Sequence, residues 1–587
     1  MAIRRTKIVC TLGPAVDNDA GVAELLQAGM NVARFNFSHG THEEHRERLA
    51  RLRRIAGKQG IPVATLLDTK GPEIRTGKLA DSEYYELEAG DTITITTEDV
   101  TGSRERVGIS YKQLPDEVGP GHHLYIADGI IDLEVERVSG TDVHCVVRSG
   151  GTLGSRKNVN IPGVRVQLPA ITEKDRRDIE FAVSEGMDFI AASFIRKAAD
   201  VDEIRSILRE HDSAIRIIAK IEDHEGLENI GDIVRVADGI MVARGDLGVQ
   251  LAVEEIPLAQ KRIISLCNRE NKPVITATQM LDSMIENPRP TRAELTDVAN
   301  AIFDGTDAVM LSGETASGAY PTKACETLDR IARAVEGSDE YQEKTLGQII
   351  IKEESTDIGS AIAKATIIVA ADVEAAAIVA PSLRGNSPRL LSKHRPAQGI
   401  IAVTTTEQVQ RQLLLHWGIV PLISEEVHDS EMMVQNAIKN ALSRGLITSR
   451  DRVVTCAGIP LRSAIPLNTI KVHILGHVLS RGHDGFGAKA TGRVIKAHDA
   501  AEARRLLRGN GSEVLLTTVL TADHLELLPG LLGVIVESNS QVAYQTLQRT
   551  NPDLVLIAET PEAMQSIEDG ITVTVDGEER IVYEGVQ

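Results

Sequence analysis

Eight short apolar runs, spaced along residues 7 to 311 and separated by segments of a different periodicity, leave few folds open to this chain. They fall at 7–12, 32–37, 63–67, 189–194, 215–221, 239–243, 273–277 and 308–311, and are apolar at successive rather than alternate positions. A strand of that kind must be covered on both faces, which confines it to a parallel sheet flanked by helices. Most of the runs are followed by a 3.6-periodic amphipathic segment, among them 42–58, 172–186, 200–210, 254–268, 291–303 and 322–335. Thr172 with Asp175, and Thr291 with Glu294 beside Pro290, have the spacing of capping boxes that start helices. Eight such units predict a (β/α)8 TIM barrel, in which active sites lie at the C-terminal ends of the strands.

The alternation breaks between Gly71 and Leu168. Short runs at 92–97, 124–126, 131–138 and 143–147 sit there between Gly, Asp and Ser turn signals and predict an inserted small β-barrel domain. After about Ser338 a new pattern begins, with helices at 358–371, near Leu390, at 408–416 and at 431–443, and strands at 375–380, 400–404, 452–456 and 469–475. This is expected to form an α/β C-terminal domain. The Gly- and His-rich stretch 476–492 reads as a linker leading to an extra small αβ C-terminal domain. The expected domains are therefore 1–70 with 170–338 (barrel), 71–169 (insertion), 339–475 (α/β) and 476–587 (extra).

Composition narrows the class of function. The chain carries 64 Lys and Arg against 84 Asp and Glu, a net charge of −20, so no broad nucleic-acid or anionic-membrane surface is expected, only local cationic pockets. The five cysteines, Cys10, Cys145, Cys267, Cys325 and Cys456, are scattered and never spaced CxxC. They read as small core residues in a reducing cytoplasm. No signal-type apolar region precedes the first strand, and no uncharged apolar stretch approaches the roughly 20 residues a spanning helix needs. A soluble, cytoplasmic protein is expected.

Against that apolar background the polar residues at strand ends stand out, because an unpartnered polar group buried there would cost several kcal/mol. Arg34, Asn36 and Ser38 alternate with Phe35 and Phe37 and so share one face of a strand. With Asp68 and Thr69 at the end of the next strand, they offer an oxygen cage for a large monovalent cation and a guanidinium for phosphate. Lys220 and Glu222 likewise share a face, and Arg244-Gly245-Asp246-Leu247-Gly248 ends the following strand. Glu222 and Asp246 are a hard-oxygen pair suited to Mg2+ with positions left for water and substrate. Lys220 is then a fixed point charge for a transferring phosphoryl group, and the Gly245 and Asp246 amides, if they open a short helix, suit a substrate carboxylate. Singly, Lys220-x-Glu222 reads as a surface ion pair and the Arg-Gly-Asp-Leu-Gly run as a turn. Their arrival at successive strand ends favours a site. Thr278-Gln279 and Ser312-Gly313-Glu314 are ambiguous, while His42 and His45, following His39, read as residues of a solvated helix face.

At these residues the chain resembles the pyruvate kinase family. The stretches that carry the resemblance include Asn36-Phe37-Ser38-His39-Gly40, Leu67-Asp68-Thr69-Lys70-Gly71-Pro72-Glu73-Ile74-Arg75, Ile218-Ala219-Lys220-Ile221-Glu222, Met241-Val242-Ala243-Arg244-Gly245-Asp246-Leu247-Gly248 and Ala277-Thr278-Gln279-Met280-Leu281. Pro290-Thr291-Arg292-Ala293-Glu294 and Met310-Leu311-Ser312-Gly313-Glu314-Thr315-Ala316 extend it, and together they cover residues 1 to about 475. The resemblance implies the glycolytic transfer of a phosphoryl group from phosphoenolpyruvate to ADP, giving ATP and an enolpyruvate that is protonated to pyruvate. It implies Lys220, Thr278 and Arg34 as catalytic residues, and Arg34, Lys220, Gly245, Asp246 and Thr278 as substrate-binding. Mg2+ or Mn2+ would sit on Glu222 and Asp246, K+ on Asn36, Ser38, Asp68 and Thr69, and nucleotide on Asn36, His39, Arg75 and Lys174. Ser312 and water would relay a proton with Thr278, and Glu73 marks the members of the family that require K+.

In the same family a small phosphorylated effector, a sugar phosphate or nucleoside monophosphate, sits on a loop of the α/β domain. Here the equivalent residues are Arg384, Gly385, Asn386 and Ser387, with Arg384 in place of the usual hydroxyl residue. A homotetramer is also implied. The tail beyond Gly476 is similar to the mobile phosphohistidine domain of enzymes that use phosphoenolpyruvate, but Gln541 replaces the phosphorylated histidine, so phosphoryl carriage is not expected. A metal-dependent aldolase or lyase acting on a pyruvate enolate would use the same Glu222–Asp246 pair. The β insertion, Arg34 and Lys220 favour phosphoryl transfer, and the presence of Lys220, Glu222 and Asp246 disfavours an inactive regulatory homologue.

Overall fold

The computed structural model describes residues 4–80, 84–343, 357–426, 430–449, 451–459, 465, 467–509, 511–540 and 542–586. The chain divides into two compact units, the first made of residues 1–348 with Arg411–Gly418, the second of Ile349–Gln410 and Ile419–Gln587. In the first unit the eight apolar runs form the strands Lys7–Thr11, Val32–Asn36, Ala64–Asp68, Phe189–Ala192, Arg216–Ile221, Gly239–Ala243, Val274–Ala277 and Ala308–Leu311. Each pairs in parallel with the next, and the last returns to the first through Lys7↔Ala308 to Cys10↔Leu311, so the sheet closes as a barrel. Alternation sorts the side chains: Val9, Val32, Leu66, Phe189, Ile218, Met241 and Ile275 fill the interior, while their strand neighbours Ile8, Leu67, Ile190, Ile217 and Ile240 pack under the helices. Both expected capping boxes form. Thr172 and Thr291 each accept from the third helical amide while Asp175 and Glu294 accept from the cap amide.

One end of the barrel interior is closed by a segment distant in sequence. Leu414 and Leu415 join the interior core, and burying two such side chains contributes roughly 3–6 kcal/mol. Arg411 Nε donates to Asp188 Oδ1 and Oδ2 at 2.9 and 3.2 Å, and the Trp417 amide donates to Asp307 Oδ1 at 3.2 Å. Asp188 lies at the start of the fourth barrel strand, so this segment seals the end opposite the strand C-termini.

The insertion contains a six-stranded sheet and a two-stranded ribbon around one core that includes Ile93, Leu124, Leu133 and Val147. Strands Thr92–Thr96, His123–Ile126, Ile131–Ser139 and Asp142–Ser149 occupy the positions read from the sequence. The sheet's edge strands Val159–Asn160 and Arg106–Gly108 are joined through Arg75–Thr76, which bridges Asn158 on one side and Ile109 on the other.

The second unit holds a five-stranded sheet in the order Ile419–Ile423, Gly399–Thr404, Ala377–Pro381, Arg452–Ala457, Thr469–Ile474, the last strand antiparallel. The strand at 419–423 was not expected, because Pro421 breaks its pattern; as an edge strand it tolerates the missing amide. The residues beyond form an eight-stranded mixed sheet. Here the reading of 476–492 as a linker is overturned: Val478–Arg481, Asp484–Phe486 and Lys489–Lys496 are strands of that sheet. Its glycines serve close backbone approach rather than flexibility, since a Cβ on Gly482 would lie 2.3 Å from Ile557 Cγ2 and one on Gly485 2.7 Å from the Leu556 carbonyl oxygen. Leu475 and Val586 complete the core beneath the five-stranded sheet, and Gln435 Nε2 donates to Thr572 Oγ1. Gln541 lies outside the described residues. All five cysteines are buried and free, and no described helix is long and apolar enough to cross a membrane.

Candidate active site

The C-terminal rim of the barrel gathers charge into an otherwise apolar interior. Lys220, near the end of the fifth strand, extends its ammonium to Ser193 Oγ at 2.7 Å, Glu222 Oε1 at 2.9 Å and Asp68 Oδ1 at 3.1 Å. Asp68, ending the third strand, takes Arg34 Nε on its other oxygen at 2.6 Å, and Arg34 donates a second bond to Thr11 Oγ1 at 2.9 Å. All four charged side chains are buried. Burial alone would drive Lys220 and Asp68 toward neutrality, but their partners prevent it: the Asp68 and Glu222 carboxylates outweigh desolvation and hold Lys220 above the usual lysine range. Desolvation of Asp68 is likewise overcome by Arg34 and Lys220, which keep it below the usual carboxylate range. The result is a Lys220 ammonium held in place beside the Arg34 guanidinium at one end of the barrel.

The opposite side of Lys220 is acidic. Glu222 accepts from the Phe194 amide at 2.6 Å, a bond made possible by the left-handed turn at Phe194 (φ 55°) just past the fourth strand. Asp246 faces Glu222, and burial together with that second carboxylate pushes its pKa up to about 7. Two carboxylates turned toward one another in a buried site are relieved by a cation between them, so the donor set fits a divalent ion completed by water and substrate oxygens. Among the described residues, no group of three or more His, Cys, Asp or Glu side chains forms a protein-only metal cage. A cavity of about 210 Å³ opens here between the barrel rim and the insertion, lined among others by Asp246, Phe194, Arg196, Glu73 and Asn160.

Thr278 and Gln279, past the seventh strand, both adopt left-handed backbone, φ 70° and 53°. For a β-branched residue this is strained by about 1–3 kcal/mol and has to be held. Arg244 holds it: NH2 donates to the Thr278 carbonyl at 2.7 Å, Nε to the Ala277 carbonyl at 3.0 Å, and NH1 to Asp297 at 2.7 Å. Gly245 makes room for the turn, since a Cβ there would stand 2.9 Å from Thr278 Cγ2. The condition on Gly245 and Asp246 is met, for residues Arg244–Gln250 form a helix whose first turn contains both amides. Past the eighth strand the Ser312 amide donates to Glu314 Oε2 at 2.7 Å.

The remaining site residues have identifiable neighbours. Asn36 Oδ1 accepts the Ser38 amide at 3.0 Å, and Thr69 Oγ1 accepts the Ser193 amide at 3.1 Å. Arg75 donates from Nε to Glu73 Oε2 at 2.7 Å, with Lys70 on the same oxygen at 3.3 Å. Lys174 Nζ reaches the Phe37 carbonyl at 2.8 Å and Asp178 Oδ2 at 2.6 Å. His45 departs from its expected solvated face: it is 3% exposed, stacked on Phe37 with centroids 4.1 Å apart, and bonded through Nε2 to the His39 carbonyl at 2.9 Å. His42 keeps part of its expected exposure, its side chain 40% exposed, while also touching Asp178 and the Phe37 and Phe181 rings. His45 departs because Phe37 lies beside its helix and makes that part of the face an inner one. In the second unit, Arg384 and Gly385 precede the helix Asn386–Lys393, and Ser387 is buried in its first turn. Ser193 was missed, although a small polar residue just past the apolar fourth strand obeys the rule that singled out the others. Asp178 was hidden on a helix, where spacing does not distinguish it.

Two family profiles match the chain, one described as pyruvate kinase, barrel domain, over residues 3–325, and one as pyruvate kinase, alpha/beta domain, over residues 360–473. The sequence is 45% identical over 586 residues to a pyruvate kinase from Geobacillus stearothermophilus, with 99% of each chain covered. It is 42% identical over 590 residues to one from Sporosarcina psychrophila, again with 99% of each covered. Among solved structures, that of a pyruvate kinase from Cryptosporidium parvum superposes with a TM-score of 0.76 at 41% identity, covering 80% of this chain and 96% of that one.

Proposed function

Because this chain belongs to the pyruvate kinase family and is a kinase that transfers the phosphoryl group of phosphoenolpyruvate to ADP, we propose that the cluster of buried Arg34, Asp68, Lys220 and Glu222 with half-buried Asp246 is where that transfer occurs. The observation that carries this reading is the Lys220 ammonium, fixed between two carboxylates and beside Arg34 in an apolar interior. Arg34 and Lys220 bind the phosphate of phosphoenolpyruvate, and its carboxylate lies on the Gly245 and Asp246 amides. As the phosphoryl group leaves, charge on its oxygens grows opposite Lys220, whose position costs no reorganisation at that moment. Asp68 and Ser193 keep the ammonium in place.

Glu222 and Asp246 hold Mg2+ or Mn2+, and Asn36, Ser38, Asp68 and Thr69 hold K+. The bound ions supply positive charge against the phosphoryl oxygens. Asn36, His39, Arg75 and Lys174 face ADP. Thr278, kept in its strained turn by Arg244 and Gly245, stands near the methylene carbon of the enolpyruvate and with Ser312 and water delivers the proton that makes pyruvate. Glu73 makes the enzyme K+-dependent. Residues 1–70 and 170–338 form the catalytic domain, 71–169 a lid, 339–475 a regulatory domain and 476–587 the extra domain, with Arg384, Gly385, Asn386 and Ser387 binding a small phosphorylated effector in a cytoplasmic homotetramer.

The test is pyruvate formation from phosphoenolpyruvate and ADP with Mg2+, with and without K+. Turnover that requires both ions is expected. Absence of turnover in every combination refutes the assignment of the site, and full activity without K+ removes the cation set and the role of Glu73.

A further inference from the structure

We propose that Asp178 and His42 are positioning residues for Lys174, and that His42 takes up a proton when the phosphates of the nucleotide draw the Lys174 ammonium away from Asp178. This rests on the reading of Lys174 as a nucleotide-facing residue.

Three groups from two helices form the arrangement. Asp178 is fully buried, at 0% exposure, yet both of its oxygens are engaged: His42 Nε2 donates to Oδ1 at 2.7 Å, and Lys174 Nζ donates to Oδ2 at 2.6 Å. The two donors are not buried. The Lys174 side chain is 42% exposed and that of His42 40%, so each reaches solvent while the carboxylate between them does not. Lys174 also donates to the Phe37 carbonyl at 2.8 Å, on the loop that continues to Ser38 and His39. Asp178 therefore aims Lys174 at that loop from beneath.

An anionic phosphate arriving at this loop competes with Asp178 for one ammonium. A buried carboxylate left without a counter-charge is costly. Lys174 can move toward phosphate only if another positive charge reaches Asp178, and His42 already holds its other oxygen. Histidine is the side chain that changes charge near neutral pH. The groups that face His42 are Asp178 and Lys174 from the helix Glu173–Ser184, Arg46 one turn along its own helix and over the same Phe181 ring, and His45 on the far side of Phe37. Arg46 is itself paired with Glu43 and Glu185, and Asp178 is the carboxylate that His42 touches. The proton comes from solvent, the imidazole becomes imidazolium, and no other bond changes.

MgADP binding is measured calorimetrically at pH 7.5, with saturating Mg2+ and K+, in two buffers of different ionisation enthalpy. The full-length enzyme is expected to take up protons on binding, and both His42→Gln, which keeps a donor for Asp178, and Asp178→Asn are expected to take up fewer. Steady-state kinetics give a second readout: from pH 6 to 8 the KM for ADP should rise roughly three- to tenfold more in the wild type than in His42→Gln, the loss of one nearby partly screened charge, with kcat and the KM for phosphoenolpyruvate following the wild type. A wild type that takes up no protons, or variants that match it in uptake and in slope, overturns the proposal. Lys174→Met separates the two levels. If it leaves the KM for ADP unchanged, the nucleotide reading itself fails; if it raises that KM while His42→Gln behaves as wild type, only the present proposal falls.

Discussion

Replacing Lys220 by methionine keeps the length and apolar stem of the side chain and removes only its charge. Three contacts go with it, to Ser193, Glu222 and Asp68. Removing one partner of a buried ion pair costs about 3–5 kcal/mol. The lower end applies here, because Asp68 retains Arg34 at 2.6 Å and Glu222 retains the Phe194 amide at 2.6 Å. A loss near 3 kcal/mol, against an unfolding entropy of roughly 2.1 cal/mol/K per residue, lowers Tm by about 4 °C in a unit of this size, so the variant is expected to fold. The effect on chemistry is larger. One preorganised donor contributes about 10²–10³ in rate, and a full charge placed against a transferring phosphoryl group about 10³–10⁵, or roughly 4–7 kcal/mol of barrier. Lys220→Met should therefore lower kcat for pyruvate formation by at least a thousandfold. Protonation of enolpyruvate, which needs Thr278 and its turn rather than Lys220, should stay within about tenfold of wild type by the same rate scale. The two steps are followed separately, by coupled pyruvate formation and by ketonisation of added enolpyruvate. A folded variant that keeps a tenth of its phosphoryl transfer, or loses both steps equally, refutes the role given to Lys220.

Other expectations follow from particular contacts. Gly245→Ala places a methyl 2.9 Å from Thr278 Cγ2; pyruvate formation should fall about tenfold or more with little change in Tm, as expected for a small misplacement at a reacting centre, and an unchanged kcat would show that the turn is not needed. His473 is buried and its pKa is lowered to about 4, first by burial and then by Lys471. The unfolded chain, with an ordinary histidine, binds the proton more readily, so this contribution to stability is complete above about pH 6.5 and is lost as pH falls toward 4. The loss is on the order of 3 kcal/mol. Thermal melting from pH 7 to 4 should show the second unit weakening more steeply than in His473→Gln, and parallel curves would exclude the effect. Truncation after Leu475 should leave phosphoryl transfer in place while lowering the stability of the second unit, because Val586 shares a core with Leu475, Val453 and Ile401; unchanged unfolding of that unit would contradict the shared core.

Much of the barrel was legible because its strands have no alternative use. A run such as Phe189–Ala192 is apolar on both faces, and only a parallel sheet under helices covers both. What escaped was structure that reused residues against their local habit. Gly482 and Gly485 read as a linker because glycine is permissive in φ, yet here they are chosen for the absence of a Cβ against Ile557 and the Leu556 carbonyl. Arg411–Gly418 reads as the end of a helix in the α/β domain, yet it belongs to the first unit and closes that unit's barrel. No local pattern announces such a contact.

The site divides along the same line. Arg34, Asp68, Lys220 and Glu222 betrayed themselves because each interrupts an apolar strand, where charge without a partner is too costly to keep. Residues that hold them in place sit where polarity is ordinary. Asp178 lies on an amphipathic helix three positions after Asp175, a capping residue, and nothing in that spacing says that one carboxylate caps while the other is fully buried beneath Lys174. His45 has the same ambiguity, since a helix beside a phenylalanine-bearing loop has an inner face that composition alone assigns to solvent. A strand end shows its chemistry by contrast with its surroundings, whereas a supporting helix shows it only once the tertiary contacts are known. The positioning groups, more than the reacting ones, are therefore where structure adds to sequence.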